Sequence, residues 1–282
     1  MAILNWAFIR QVGPLRWTLR YSVLLFRKRV LKIDSRLRLP TGMELILPTT
    51  SPSATEVYVT NANIDWGAEA VFARFAELHR DFLDIGSHIG YYASYLSPCV
   101  RQVYAFEPNP RVLPALHANA SRANNIAVIA AAVSSSEGAA DFYAGGNSAT
   151  GSLNPHGGIS ERVVTTTVDA FVALHPGADI GLIKTDVEGH DLNALLGAEN
   201  TLANHQPLVL TECDYSPELL HLCRRHGYGV FAFLRDKEAL TTRFQELISH
   251  NVERHAYKML FLVPSRLDAE FRKLSSRVLN PV

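Results

Sequence analysis

Apolar positions in this chain fall into short runs divided by stretches of helical period. Phe82–Ile85 is such a run; it breaks into a turn holding Gly86 and Gly90, and Tyr91–Leu96 follows as a helix. The rhythm repeats. Strands are expected at Gln102–Phe106, Ile126–Val133, Ile180–Thr185, Pro207–Thr211, Gly229–Leu234 and Tyr257–Val263, and helices at Arg111–Asn124, Asp191–Leu202 and Pro217–His226. Strands alternating with helices form a parallel, doubly wound α/β sheet. Ahead of this series, Leu37–Leu47 reads as a hairpin turned at Pro40-Thr41-Gly42, Ser51–Thr55 as a loop and Trp66–Leu78 as a helix. One segment breaks the alternation. Asp141–Tyr143 and Val163–Val168 read as extra strands around the Gly-, Ser- and Asn-rich stretch Gly145–Gly158, which reads equally as a lid or as disordered chain.

Composition changes the picture chiefly at the N-terminus. With 48% hydrophobic and 19% charged residues, the chain as a whole is ordinary for a globular protein. Its net charge is zero, yet residues 1–33 hold seven bases and no acid, which leaves the remainder acidic. No apolar run there approaches the ~20 residues needed to span a bilayer, and the recurring bases do not suit a signal peptide. The arm is expected either to lie on an anionic membrane, as peripheral contact through residues 1–33, or to pack on the body or a partner. Cys99, Cys213 and Cys223 show no CxxC pairing, which argues against a disulfide framework and suits a cytoplasmic protein. Four regions are expected: a basic amphipathic arm (1–35), a hairpin and helix leading into the core (36–80), the sheet domain (81–265) and a C-terminal tail (266–282).

Ligands of doubly wound sheets sit beyond the carboxyl ends of the strands. Four of those ends carry chemistry here: Asp84-Ile85-Gly86, Glu107, Asp186 and Glu212. A strand, a glycine turn and a helix start make a cradle for a nucleotide-like ligand. A nicotinamide dinucleotide wants G-x-G-x-x-G; this turn reads G-S-H-I-G, with His88 where the middle glycine would fall. Glu107, at the end of the second strand, is placed to accept both ribose hydroxyls. Asp84 brings negative charge that repels phosphate and suits an ammonium or a sulfonium. Together these describe a nucleoside with a cationic tail, S-adenosylmethionine. Its expected contacts are Asp84, Gly86, Ser87, His88 and Gly90 in the cradle, Glu107 at the ribose, Asn109, Ala132 and Val133 around the adenine, and Asp186 beside the methyl.

The motifs DIGSHIGYYASYL, VYAFEPNP, AAVSSSEG, TTTVDAF, IKTDVEGHDLNALLGA and PLVLTE occur in one order. In that order they resemble the FkbM-type S-adenosylmethionine-dependent methyltransferases, over roughly Phe82 to Glu212. The resemblance implies a Rossmann-like class I methyltransferase fold and methyl transfer to oxygen on a sugar, glycan or secondary metabolite. Ser87-His88 and Asp191 depart mildly from the family pattern.

Transfer to a hydroxyl needs the oxygen placed in line and its proton removed. Asp186, Glu188 and His190, at the fourth strand's end, are the candidate bases, and the sequence does not choose among them. Magnesium on Asp186 and Glu212 is a further reading with an incomplete ligand set, so no metal site is assigned. A non-catalytic module or membrane scaffold of the same fold is the alternative function. Nucleic acid is not expected as a partner, because the body is acidic.

Overall fold

The computed structural model describes residues 6–144, 151–154, 159–236, 241–248 and 255–275. The arm forms α1 (Trp6–Val12) and α2 (Pro14–Leu25), and α2 continues into a wider π-helical turn, Phe26–Leu31. The expected hairpin follows as β1 (Ser35–Arg38) and β2 (Glu44–Leu47). The stretch read as a loop is instead α3 (Ser53–Thr60). Its Val57, Val59 and Thr60 are poor helix formers by propensity, but burial of Ala54, Val57 and Val59 overrides that preference. The Trp66–Leu78 helix is real but shorter, α4 (Ala68–Arg74).

Beyond it the expected alternation holds. The strands and helices are β3 (Asp81–Ile85), α5 (Tyr91–Leu96), β4 (Val103–Phe106), α6 (Leu113–Ala120) and β5 (Ile126–Ile129). Next come β6 (Ala132–Val133), β7 (Gly138–Ala144), β8 (Ile159–Thr166) and α7 (Val168–Ala173). The third expected strand therefore splits, because β6 leaves the main sheet to pair with β8, and Val168 opens a helix capped by Thr167. Of the Gly145–Gly158 stretch, 145–150 and 155–158 lie outside the described residues.

The chain continues through β9 (Ile180–Thr185), α8 (Asp191–Leu196), α9 (Glu199–His205), β10 (Leu208–Thr211), α10 (Pro217–His226) and β11 (Tyr228–Asp236). It ends with β12 (Thr242–Glu246), β13 (His255–Ala256), β14 (Leu260–Pro264) and α11 (Asp268–Ser275). The helix expected at Asp191–Leu202 is two helices broken at Gly197. A Cβ at Gly197 would stand 2.1 Å from the carbonyl oxygen of Ser134, the residue after β6, so only glycine fits at this close approach. The described part of the expected tail is a core helix: Phe271 is fully buried and packs on Phe75, Phe231, Phe244 and Phe261.

The main sheet runs β12-β11-β14-β10-β9-β3-β4-β5, with β13 paired to β11. β5, β4, β3, β9 and β10 are mutually parallel, and β14 enters antiparallel between β10 and β11. This is the Rossmann-like class I methyltransferase sheet that the motifs imply. Helices cover both faces, so β3 and β9 are buried along their whole length: Phe82 packs with one core cluster and Leu83 with the other. The register aligns Ile85 with Phe106 and with Thr185, and Thr185 with Thr211. Gly86, Glu107, Asp186 and Glu212 therefore leave the sheet side by side, at the switch in strand order between β3 and β9.

Candidate functional site

A cavity of about 320 Å³ opens beyond these strand ends. Gly86, Ser87, His88, Glu107, Asn109, Ala132, Val133, Asp186, Glu188 and His190 all line it, as does Glu212. Asp84 and Gly90 do not.

Asp84, expected to hold a ligand's ammonium directly or through water, is not part of the cavity lining. It is fully buried beneath the floor, where one carboxylate oxygen accepts from the Ser87 hydroxyl (2.5 Å) and the Ala93 amide (2.9 Å). It thus ties the turn to the start of α5. Its other oxygen makes no hydrogen bond and lies 3.6 Å from Lys184 Nζ. The glycines also serve close packing. Gly86 has φ +74°, and a Cβ there would lie 2.0 Å from the Asp186 carbonyl oxygen; a Cβ at Gly90, with φ +82°, would lie 2.8 Å from Leu116 Cδ1. Gly86 therefore lets β3 and the end of β9 meet under the cavity.

His88 holds the left-handed conformation (φ +51°) that the missing glycine would adopt freely, at a cost of about 1–2 kcal/mol. Its ring Nδ1 lies 3.2 Å from the Ser53 hydroxyl, and burial lowers its pKa to about 4, so the imidazole is neutral. Its backbone N–H donates to Glu107 Oε2 at 2.9 Å, and that of Asn109 donates to Glu107 Oε1, also at 2.9 Å. Both carboxylate oxygens are thus oriented, and each keeps a lone pair for a further donor. Burial raises the Glu107 pKa to about 7, against the opposing pull of those two amides. The Asn109 side-chain oxygen accepts from the Arg111 amide, an Asx turn that fixes the loop after β4.

Across the cavity, the end of β9 carries the charge. Lys184 is buried, donates to the Gly86 carbonyl at 2.8 Å and stands 3.5 Å from Asp186 Oδ2. Burial pushes its pKa down, but the nearby Asp186 and Asp84 carboxylates outweigh that and raise it. Asp186 keeps 40% of its side chain open to the cavity. Desolvation pushes its carboxyl up, but Lys184 and a hydrogen bond with Glu212 hold it below the usual range. The effect on Glu212 is the reverse: desolvation and the Asp186 charge lift it to about 9. At neutral pH the pair is therefore one carboxylate and one carboxylic acid sharing a hydrogen bond. Asp186 and Glu212 meet as the magnesium reading requires, but no group of three or more His, Cys, Asp or Glu suited to a metal occurs among the described residues.

His190 occupies the residue just before α8, without a side-chain bond to the helix backbone. Its Nε2 is 3.0 Å from the Ser134 hydroxyl and its Nδ1 is 3.2 Å from the Asn193 amide, so the tautomer protonated on Nε2 satisfies both contacts. Burial lowers its pKa. Glu188 is exposed on a left-handed turn (φ +52°), and its carbonyl accepts from the Ser152 hydroxyl. Ser152 and its neighbours Gly151 and Leu153 line the cavity with Phe142, so the described part of the insertion does stand over the site. Sequence reasoning missed Lys184 and the cavity residues Glu56, Asp65 and Lys258. Lys184 sits in the quoted motif IKTDVEGH, and its position one residue before the strand's end was the available signal.

A family model, the methyltransferase FkbM domain, matches residues 84–236, more than half of the chain. Hexuronic acid methyltransferase AglP of Haloferax volcanii is 33% identical over 120 residues, 42% of this chain and 50% of that protein. The chain thus spans about half the length of the curated relative it matches. Two solved structures are also similar. Methyltransferase FkbM from Methylobacillus flagellatus is 14% identical with a TM-score of 0.44, over 88% of this chain and 59% of that one. Precorrin-6y C5,15-methyltransferase from Geobacter metallireducens is 13% identical with a TM-score of 0.41, over 73% and 90%. The family match runs from the cradle through the acid pair to β11, and the chain belongs to the methyltransferase FkbM domain family.

Proposed function

We propose that this chain is an S-adenosylmethionine-dependent O-methyltransferase whose acceptor is a hydroxyl of a sugar, in a glycan or a small glycoside. One observation carries the reading: Glu107, held by the His88 and Asn109 amides, and Asp186, beside Lys184 and Glu212, face the same cavity. The residues present suit this donor. Glu107 would accept its ribose hydroxyls, the Gly86–His88 turn and Asn109 would bracket the nucleoside, and Ala132 and Val133 would wall the adenine. The negative charge of Asp186 suits a cationic tail.

When bound, S-adenosylmethionine supplies an electrophilic methyl group on a sulfonium. The chain must position the acceptor oxygen and take its proton. Asp186 is the base in this reading. It is ionised, and the hydroxyl proton becomes acidic as its oxygen gains a third substituent, the incoming methyl, and takes on oxonium character, so a carboxylate of low pKa suffices late in the reaction. Glu212 donates to Asp186 and fixes its rotamer. Lys184 keeps Asp186 ionised. His190 is engaged at both ring nitrogens and Glu188 sits on the outer turn, so neither competes well for the role.

A sugar acceptor is supported by the hexuronic acid methyltransferase relative. The test is transfer of labelled methyl from S-adenosylmethionine to hexuronides and neutral hexosides. An alkali-stable ether label, lost in Asp186→Asn, is expected. An alkali-labile label would mean methylation of a carboxylate and would overturn the hydroxyl reading.

A further inference from the structure

The arm carries two apolar faces, and only one of them is covered. The inner face of α2 packs on α3. Leu24 is buried, Trp17 stacks on Tyr21 at 4.7 Å, and Arg20 donates to the Tyr58 carbonyl at 2.8 Å with its guanidinium over the Tyr58 ring. The outer face is bare. Leu15 (83% exposed), Leu19 (66%), Val23, Phe26 (53%) and Val30 (64%) follow one another at spacings of four, four, three and four, a single helical stripe. Among the described residues beyond 33, the other large exposed apolar side chains are Leu78, Val164, Leu174, Leu196 and Ile248, far apart in the sequence. A contiguous stripe of this size marks a surface that something covers.

We propose that this stripe seats the protein on the surface of an anionic lipid bilayer, with the helix lying in the interface. Charge complementarity selects this occupant. Residues 1–33 hold seven bases and no acid, and exposed Arg16 and Arg29 flank the stripe on the same helix. An apolar strip bordered by arginines matches an acyl boundary bordered by anionic headgroups. No helix among the described residues is long and apolar enough to cross a membrane, so this is a surface contact. α3, which grips α2 through Tyr58, also presents Ser53, Glu56 and Val57 to the cavity, so a docked arm holds the cavity one helix away from lipid. The proposal stands independently of the methyl-transfer reading.

Vesicle co-sedimentation of the full chain tests it. Vesicles of phosphatidylcholine mixed with phosphatidylglycerol should bind the protein on the order of tenfold more tightly than phosphatidylcholine alone, and added salt should weaken that preference. Leu19→Glu/Val23→Glu alters exposed side chains only. It should keep the circular dichroism spectrum and lose binding by on the order of tenfold or more. Arg16→Gln/Arg29→Gln should narrow the difference between the two vesicle types. Equal sedimentation of wild type and Leu19→Glu/Val23→Glu would overturn the proposal. So would wild-type self-association without vesicle binding, abolished by the same substitutions, because a second copy would then cover the stripe.

Discussion

Lys184 is the pivot of the cavity floor, because a buried ammonium must be matched by nearby negative charge. Asp84 lies below it and Asp186 beside it, and with Asp186 ionised the neighbouring Glu212 keeps its proton. Two predictions follow from these charges. Asp186→Asn should lower the methyl-transfer rate by about 10²–10⁴, the usual worth of a positioned base, while S-adenosylhomocysteine affinity stays within a few-fold; single-turnover rates and calorimetry separate the two. Glu107 supplies the second. Its pKa is raised to about 7, and donation from two hydroxyls favours the ionised form. Ligand affinity should therefore rise with pH up to about 7 and level off above it, and Glu107→Gln should flatten the dependence. At this scale the sequence was informative about identity but not about depth. Glu107 and Asp186 were legible from their places at strand ends. That Asp84 lies under the floor was not, since a strand residue's depth depends on what packs over it. The contacts of the His190 ring with Ser134 and Asn193 were not legible either, because they form only in the fold.

Strand placement was legible where burial on both faces makes a run mainly apolar. β3, β4, β9 and β10 show this even though β3 and β9 carry the buried charges Asp81, Asp84 and Lys184, and their aligned ends place the site. Elements set by tertiary contact were not legible. α3 is rich in β-branched residues and reads as loop, and β12 has only Phe244 buried toward the core and reads as nothing. The break at Gly197 depends on a carbonyl more than sixty residues earlier, at Ser134. The insertion was recognised by composition alone, and its described part reaches the DVEGH turn through Ser152 and Asn154. Gly86 is the tightest element junction. Gly86→Ala adds a Cβ 2.0 Å from the Asp186 carbonyl at a left-handed φ. It should cost about 2–5 kcal/mol, seen as a fall in melting temperature of roughly 2–4 °C per kcal/mol, and it should displace Asp186 even where the protein still folds.

Across the whole molecule, the two ends of the sheet are put to different uses. The carboxyl ends carry the cavity, while the amino ends are fastened by ion pairs. Arg101 holds the fully buried Asp81 through two bonds of 2.8 and 2.6 Å. Nearby, Arg80 reaches Asp179 and the carbonyls of Ile180 and His205. Among the described residues, Arg101→Ala leaves the buried Asp81 carboxylate with only the Asp179 amide as a partner, and because Arg101 is itself half exposed the loss should be about 1–3 kcal/mol. Adding Asp81→Asn should recover part of that loss, a coupling that chemical denaturation of the two single variants and the double variant would reveal. A stable amino end lets the carboxyl end keep costly features: His88 in a left-handed conformation, a buried ammonium and an acid pair. Calorimetric titration with S-adenosylhomocysteine asks whether those features serve a nucleoside. One saturable site is expected, weakened about 10–100-fold in Glu107→Ala, as loss of hydrogen bonds to a charged group implies. Equal affinity in that variant, or saturable binding of NAD in place of S-adenosylhomocysteine, would contradict the reading of this cavity.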